Sequence, residues 1–166
     1  MKRHAEVISP GLFDPEEEDK VPCYYMCSYG IALDVEGWTS SSQGFTTGKH
    51  SAFLMASGPN GRVYWFLFVK LPEVKYGKDI PTYTKEDELA FAKQNAHLKI
   101  TENLNFGQVF AKRIPDSCGL TPIHEIVFKK WFFGRMFLVG DSVHKVSFIC
   151  PRALAAKYER AIIEQY

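Results

Sequence analysis

The stretch from Ser51 to Leu71 constrains the fold more than any other, because two runs of strand composition, Ser51 to Ser57 and Arg62 to Leu71, flank Gly58-Pro59-Asn60-Gly61. Proline presets a turn and Asn-Gly supplies the positive φ that closes a hairpin. In the second run Val63, Trp65, Leu67 and Val69 point one way while Tyr64, Phe66, Phe68 and Lys70 point the other, since side chains alternate along a strand. Both faces are apolar, so a sheet covered on both sides is expected. A lone hairpin is marginal in water, and the remaining chain must supply more strands and their cover.

Pro22 to Leu33 is aromatic-rich and reads as a further strand, with a bulge or a close approach at Gly30. Asp34 to Lys49 is rich in Gly, Ser and Thr and reads as a loop, its Trp38 better suited to anchoring the core than to binding. Thr84, followed by Lys85-Glu86-Asp87-Glu88, has the form of a helix start: a hydroxyl cap, then acidic residues where the dipole favours them. That helix should run to about Leu98, with Leu89, Phe91, Ala92 and Ala96 as its apolar face. A second short helix is expected over Phe106 to Lys112, then a break from Pro115 to Pro122 and a strand from Ile123 to Phe128.

Strand-type runs lie ahead of helical ones, which predicts an α+β domain with a mixed, mostly antiparallel sheet packed with helices. Before it, residues 1–21 carry Pro10, Gly11, Pro15 and Glu16-Glu17-Glu18-Asp19, a composition that buries little and is expected to be poorly ordered. After it, residues 146–166 read as an amphipathic helix with Leu154, Tyr158, Ala161 and Ile162 on one side.

With 20 Lys+Arg against 19 Asp+Glu and no long block of either sign, the chain has no nucleic-acid footprint. Cys23, Cys27, Cys118 and Cys150 lack metal-ligand spacing, so no metal is expected. The polar, acid-rich opening is not a secretory peptide, and no apolar run approaches the roughly 18 residues of a transmembrane segment. Reduced thiols, in the cytoplasm or on the periphery of a membrane, are the expectation. Neither Gly-x-Ser-x-Gly, His-Glu-x-x-His nor a phosphate-cradling loop occurs. His124 and Glu125 are adjacent, hence on opposite faces of a strand, and are assigned no chemistry.

The chemically informative stretch is Lys130 to Lys145. Met136 to Val139 fits a buried strand that ends on Gly140-Asp141, where a glycine admits a close approach and a carboxylate can accept from a ribose or ribitol hydroxyl. In open α/β sheets ligands sit at the carboxyl ends of strands. The same residues also suit an ordinary turn, or a cap in which Asp141-Ser142 opens a helix.

Trp-x-x-Gly-Arg-x-x-Leu-x-Gly-Asp-Ser-x-His-Lys, at Trp131 to Lys145, resembles the second flavin-binding motif of the aromatic-hydroxylase type of FAD-dependent monooxygenases. More narrowly, it is similar to the fungal enzymes that epoxidise prenyl chains in meroterpenoid and indole-diterpene biosynthesis. Gly58 to Leu71 also looks like that family, and the resemblance covers residues 22–145. It implies FAD as cofactor, a hydrophobic terpenoid substrate, and the family's substrate-domain sheet with one face on helices and the other on a greasy cavity.

By the same resemblance Asp141 with Gly140 would hold the ribityl chain, Arg135 and His144 would flank it, and Tyr64 and Trp65 would form the substrate wall. Two departures stand beside it. No Gly-x-Gly-x-x-Gly string for the ADP part of FAD occurs in these 166 residues, and no glycine follows Gly140 where the family has a Gly-rich turn. The expectation is therefore a truncated or divergent member without the Rossmann half. The alternative is a cofactor-free terpenoid-binding protein, or a partner that completes the flavin site of another chain.

Overall fold

The computed structural model describes residues 2–14, 16, 17 and 19–145. The expected helix over residues 146–166 lies outside the described residues. In chain order the elements are α1 (Lys2–Ile8), β1 (Pro22–Leu33), β2 (Gln43–Thr47), β3 (Ser51–Ser57), β4 (Arg62–Tyr76), α2 (Lys85–Asn95) and α3 (Phe106–Ala111). They continue with β5 (Gly119–His124), β6 (Ile126–Val127), β7 (Phe132–Phe133), β8 (Met136–Phe137) and β9 (His144–Lys145). The stretch before β1, expected to be poorly ordered, carries α1 and successive turns, with Ala5 and Phe13 buried.

The fold is α+β. A five-stranded sheet in the order β2-β3-β4-β1-β5 carries the β3–β4 hairpin, antiparallel with Ser57 opposite Val63 and Ser51 opposite Val69. Asn60 at φ 58° and Gly61 at φ 70° make its turn, the left-handed pair that Asn-Gly adopts at little cost. The segment expected to be a loop contains β2, which extends the hairpin as an antiparallel edge strand. Its strand character comes from pairing with β3, since its composition is weak for a strand.

The chain divides into two compact units, each formed from separate stretches. One, Tyr25–Pro72 with Pro81–Pro122, holds the hydrophobic core. In it Trp65 is fully buried and meets Phe106 and Phe110 edge-on, with ring centroids 6.5 and 6.3 Å away. Phe53 and Phe91 meet Phe106 in the same way, so α2 and α3 are held against β3 and β4 by an aromatic cluster. Such pairs add about 0.5–1.5 kcal/mol each beyond the area they bury. Gly30 is where the sheet admits the Trp65 ring: a Cβ there would stand 2.5 Å from the indole and 2.7 Å from the Cys118 sulfur.

Thr84 caps α2 through a box in which its hydroxyl accepts from the Asp87 N–H and the Asp87 carboxylate accepts from the Thr84 N–H. The helix ends at Asn95, a turn earlier than expected, and buries Glu88 with Phe91 and Ala92 while Leu89 is half exposed. Glu88 is tolerated because Lys85 reaches it at 2.9 Å, and the same ammonium donates to the Cys118 carbonyl at 2.6 Å. Trp38 is part-buried against the core, its ring N–H donating to the Ser57 hydroxyl at 3.0 Å.

The expectation that both faces of β4 are covered holds only in part. Val63, Trp65 and Leu67 are buried on the helix side; on the other face Phe68 and its cross-strand partner Ala52 are buried, while Tyr64 and Phe66 stay 36% and 41% exposed. Both helices of this unit contribute to the core on the Trp65 side alone.

Candidate functional site

The second unit, Met1–Tyr24 with Glu73–Ile80 and Ile123–Tyr166, contains the Gly-Asp motif. The strand expected from Ile123 to Phe128 is split: β5 runs on to His124, and after Glu125 the pair Ile126–Val127 joins β9 in a short antiparallel ladder. Ile126 stands opposite Lys145 and Val127 opposite His144. Alternation then sorts the side chains, because His124, Ile126 and Phe128 share a face while Val127 takes the other.

The strand expected to be buried over Met136 to Val139 is instead the second arm of a small hairpin, Phe132 and Phe133 pairing with Phe137 and Met136. Phe137 is 73% exposed and Val139 66%. Apolar composition drives burial only where another element supplies the cover, and a two-residue arm among the described residues has none. Arg135 occupies the exposed turn of this hairpin, beside Gly134 at φ 56°.

From Val139 the chain enters a single 3-10 turn, Gly140–Ser142. Gly140 has φ 60° and nothing within 4 Å of the place a Cβ would occupy, so its backbone is open to approach. Asp141 lies inside the turn and caps no helix: Val139 holds the N-cap position without a side-chain bond, and the Ser142 hydroxyl donates back to the Val139 carbonyl. Val143, 1% exposed, pins the far end, where its carbonyl accepts from the Phe128 N–H at 2.9 Å.

Beside this turn is a cavity of about 360 Å³. Asp141, Lys145 and His124 bring polar groups to it, and Val21, Ile80, Ile126 and Phe128 make its walls, with Gly77. Burial, and then the Lys145 charge, push the His124 imidazole below its usual 6.5. The ring is thus neutral near pH 7, and the charges at the cavity are one carboxylate and one ammonium.

Of the expected cofactor residues the structure brings Asp141, with Gly140 next to it, to this cavity. Arg135 and His144 are not among its lining; His144, opposite Val127, has the Trp131 ring at 6.0 Å. His124 and Lys145 also line it, and no local pattern announced them: His124 closes β5, and Lys145 stands opposite Ile126 in the β6–β9 pair. Tyr64 and Trp65, neighbours on one strand, face opposite sides, with Trp65 wholly inside the core.

With this geometry in hand, comparison with known proteins is informative. The FAD-dependent monooxygenase ptmM of Penicillium ochrochloron is 33% identical over 147 residues, 89% of this chain and 34% of that protein. The chain resembles fungal FAD-dependent monooxygenases. The FAD-dependent monooxygenase penE of Penicillium thymicola is 31% identical over 89% of the chain, and janM of Penicillium janthinellum 33% over 74%. The chain spans about a third of the length of the relatives it matches, 34% and 30% for the first two. No family model matches it. In fold it is similar to HpxO of Klebsiella pneumoniae complexed with FAD, with a TM-score of 0.57 at 19% identity over 76% of this chain and 32% of that one.

The residues present fit one part of a flavin. An acceptor carboxylate, an ammonium and an imidazole over apolar walls suit a hydroxylated chain and the edge of a ring. Among the described residues neither α2 nor α3 offers a start suited to a pyrophosphate: the first turn of α2 carries Glu86, Asp87 and Glu88, and the start of α3 is closed by the Asn105–Gln108 box. Among the described residues no group of metal-ligating side chains is gathered, and no helix is long and apolar enough to cross a membrane. Cys23, Cys27 and Cys118 are buried, and burial pushes the Cys27 thiol up to about 12.

Proposed function

We propose that this chain supplies the substrate-domain sheet and the Gly-Asp flavin element of an FAD-dependent monooxygenase that epoxidises or hydroxylates a terpenoid or meroterpenoid intermediate. The observation that carries the reading is Asp141, set at an open Gly140 backbone in a cavity large enough for a ligand. A flavin bound there supplies the oxygen-transfer chemistry. The chain's own residues hold and orient: Asp141 accepts from a ribityl hydroxyl, and Ile126 and Phe128 keep water from one side of the bound group.

The substrate class is supported by the exposed part of the sheet's second face, around Tyr64 and Phe66. Phe45, Leu54 and Phe66 stand opposite one another across β2, β3 and β4, so they share one face. Phe66 stacks on Phe68 at 6.5 Å, and Tyr64 lies one step along the strand face. An aromatic, uncharged surface of this kind suits a prenyl or polycyclic hydrocarbon, with Tyr64 as the wall residue and Trp65 as its support from behind.

A second reading is favoured by the acidic start of α2 and the closed start of α3 among the described residues: a cofactor-free terpenoid-binding protein, or a partner completing the flavin site of another chain. Absorption spectra of the purified chain with and without added FAD, and a geranylgeraniol titration followed by intrinsic fluorescence, test both. The monooxygenase reading expects weak FAD binding and saturable geranylgeraniol binding that Phe66→Ser abolishes. Geranylgeraniol binding with no flavin bound at any concentration favours the second reading, and stoichiometric flavin retained through purification removes it.

A further inference from the structure

The five-stranded sheet ends on two edges, β2 and β5, and they are finished differently. Strand β5 contains Pro122 and runs into His124 and Glu125, a proline and a charge being ordinary means by which an edge is closed to further pairing. Strand β2 has neither: from Gly37 to Gly48 the chain holds no charged residue and no proline. Hydrogen bonds at its two ends fix the phase of its ladder with β3, the Ser57 N–H donating to the Ser42 carbonyl at 2.8 Å and the Gly48 N–H to the Ser51 carbonyl at 2.7 Å. In an antiparallel pair bonded and non-bonded positions alternate, so Gly44 and Thr46 also face β3. The N–H and C=O groups of Gln43, Phe45 and Thr47 therefore point outward. Among the described residues nothing takes them up.

A free row of this kind accepts a further strand, and β2 suits a second copy of itself. Two copies running antiparallel about a twofold axis at Phe45 set Phe45 opposite Phe45, Gln43 opposite Thr47 and Gly44 opposite Thr46, which engages the whole strand. The outward residues are then directly opposed, and each opposed pair exchanges two main-chain bonds. Like charges do not meet, because Lys49, just beyond the strand, falls toward Ser41 of the other copy. Phe45, 54% exposed, gains an aromatic neighbour across the axis. The same twofold turns the same face of both sheets to one side, so Phe66, Leu54 and Phe45 of one copy continue into Phe45, Leu54 and Phe66 of the other.

We propose that the edge of β2 is a homodimer interface, at which two copies of this chain join antiparallel about Phe45 into one continuous sheet. The proposal is independent of the flavin reading of Asp141, since β2 and the Gly140–Ser142 turn belong to different units. A short run of main-chain bonds with one aromatic pair buries far less than a permanent dimer does, so the association is weak and grows with concentration. The test is sedimentation equilibrium of the full chain from about 10 μM to about 1 mM, the range in which weak association shows, with amide hydrogen exchange followed at both ends of it. The parent should pass from monomer to dimer. Exchange at Gln43, Phe45 and Thr47 should slow as concentration rises, while Gly44 and Thr46, bonded to β3 throughout, should not change.

Phe45→Lys and Phe45→Glu each set like charges opposite one another and should weaken dimerisation about tenfold or more, and an equimolar mixture of the two should recover it to within about threefold of the parent. Urea melts of both should match the parent's, because Phe45 is exposed. The exchange pattern is read on the parent and does not depend on the variants. A chain that stays monomeric throughout overturns the proposal, as does a dimer that both variants leave intact. Protection that rises with concentration but spares Phe45 and Thr47 overturns it too. Loss of the dimer in Phe137→Lys but not in Phe45→Lys would place the contact on the Phe132 to Phe137 hairpin instead, and a mixture that fails to recover would show that the two Phe45 side chains do not meet.

Discussion

The two units of this chain use apolar residues in opposite ways. In the core unit Trp65, Phe106, Met55 and Leu67 are at or near zero exposure, and each aromatic ring meets another edge-on. In the motif unit Phe132, Met136, Phe137 and Val139 are 44–73% exposed on a hairpin of two-residue arms. The first arrangement gains stability from packing; the second holds a turn, Gly140–Ser142, in an accessible place. Side chains that bind ligands come disproportionately from such thinly packed segments carried by a firmer scaffold.

The sharpest way to break the comparison is a pair of truncations. Trp65→Ala should cost about 3–5 kcal/mol in a urea melt, since it empties the centre of the aromatic cluster. Phe137→Ala should stay within about 0.5 kcal/mol of the parent. Equal losses would mean that the hairpin is as firmly packed as the core. Gly30→Ala comes next: its methyl would overlap the Trp65 ring, and about 1–3 kcal/mol of strain is expected in the same melt.

Asp141→Ala sharpens the contrast from the other side. It should weaken riboflavin binding by roughly ten- to a hundredfold, as loss of a hydrogen bond to a charged acceptor does. Its melting temperature should barely move, because Asp141 caps no helix. A lowered melt with unchanged binding would return Asp141 to a structural role. Thr84→Ala, which removes the capping box of α2, should cost about 0.5–2 kcal/mol and leave riboflavin binding alone.

The smallest effect is electrostatic. The folded state holds His124 below its usual 6.5, so the unfolded chain binds more protons in the window between the two values. Stability from this group is complete above about 6.5 and is lost as the pH falls through the folded pKa. Lys145→Met should reduce that loss in chemical melts between pH 7 and pH 5. A pH dependence identical to the parent's would show that burial alone sets the shift.

The same contrast explains what could be read from the amino acids. The β3–β4 hairpin was legible because its signal is local: Pro59, Asn60 and Gly61 fix the turn and the flanking alternation fixes the strands. Thr84 announced α2 for the same reason. Strand β2 was hidden, as Gln43 to Thr47 is extended only because β3 offers it a ladder. Met136 to Val139 read as buried because apolarity measures what a residue would gain from cover and says nothing about whether cover exists. Asp141 stood out in the sequence through a motif that carries its neighbours with it, whereas His124 and Lys145, 21 positions apart, meet at the cavity from the end of β5 and from β9.

Strand order has a consequence for how the chain acquires its structure. Strands β3 and β4 can meet across a four-residue turn, an event of about 1–10 μs for a hairpin. Strand β1 sits between β4 and β5, so its two neighbours arrive later in the chain, and β5 begins 86 residues after β1 ends. Closing so long a loop costs entropy before any contact repays it, which makes β1–β5 pairing a late event. Pairing of β1 with β4, across the 29 positions from Leu33 to Arg62, is likewise slower than closing the hairpin turn, and until it forms the Trp65 ring lacks the cover of the strand that carries Gly30. Indole fluorescence should therefore change in a slower phase than the one that forms the hairpin, and Gly30→Ala should act on that slower phase.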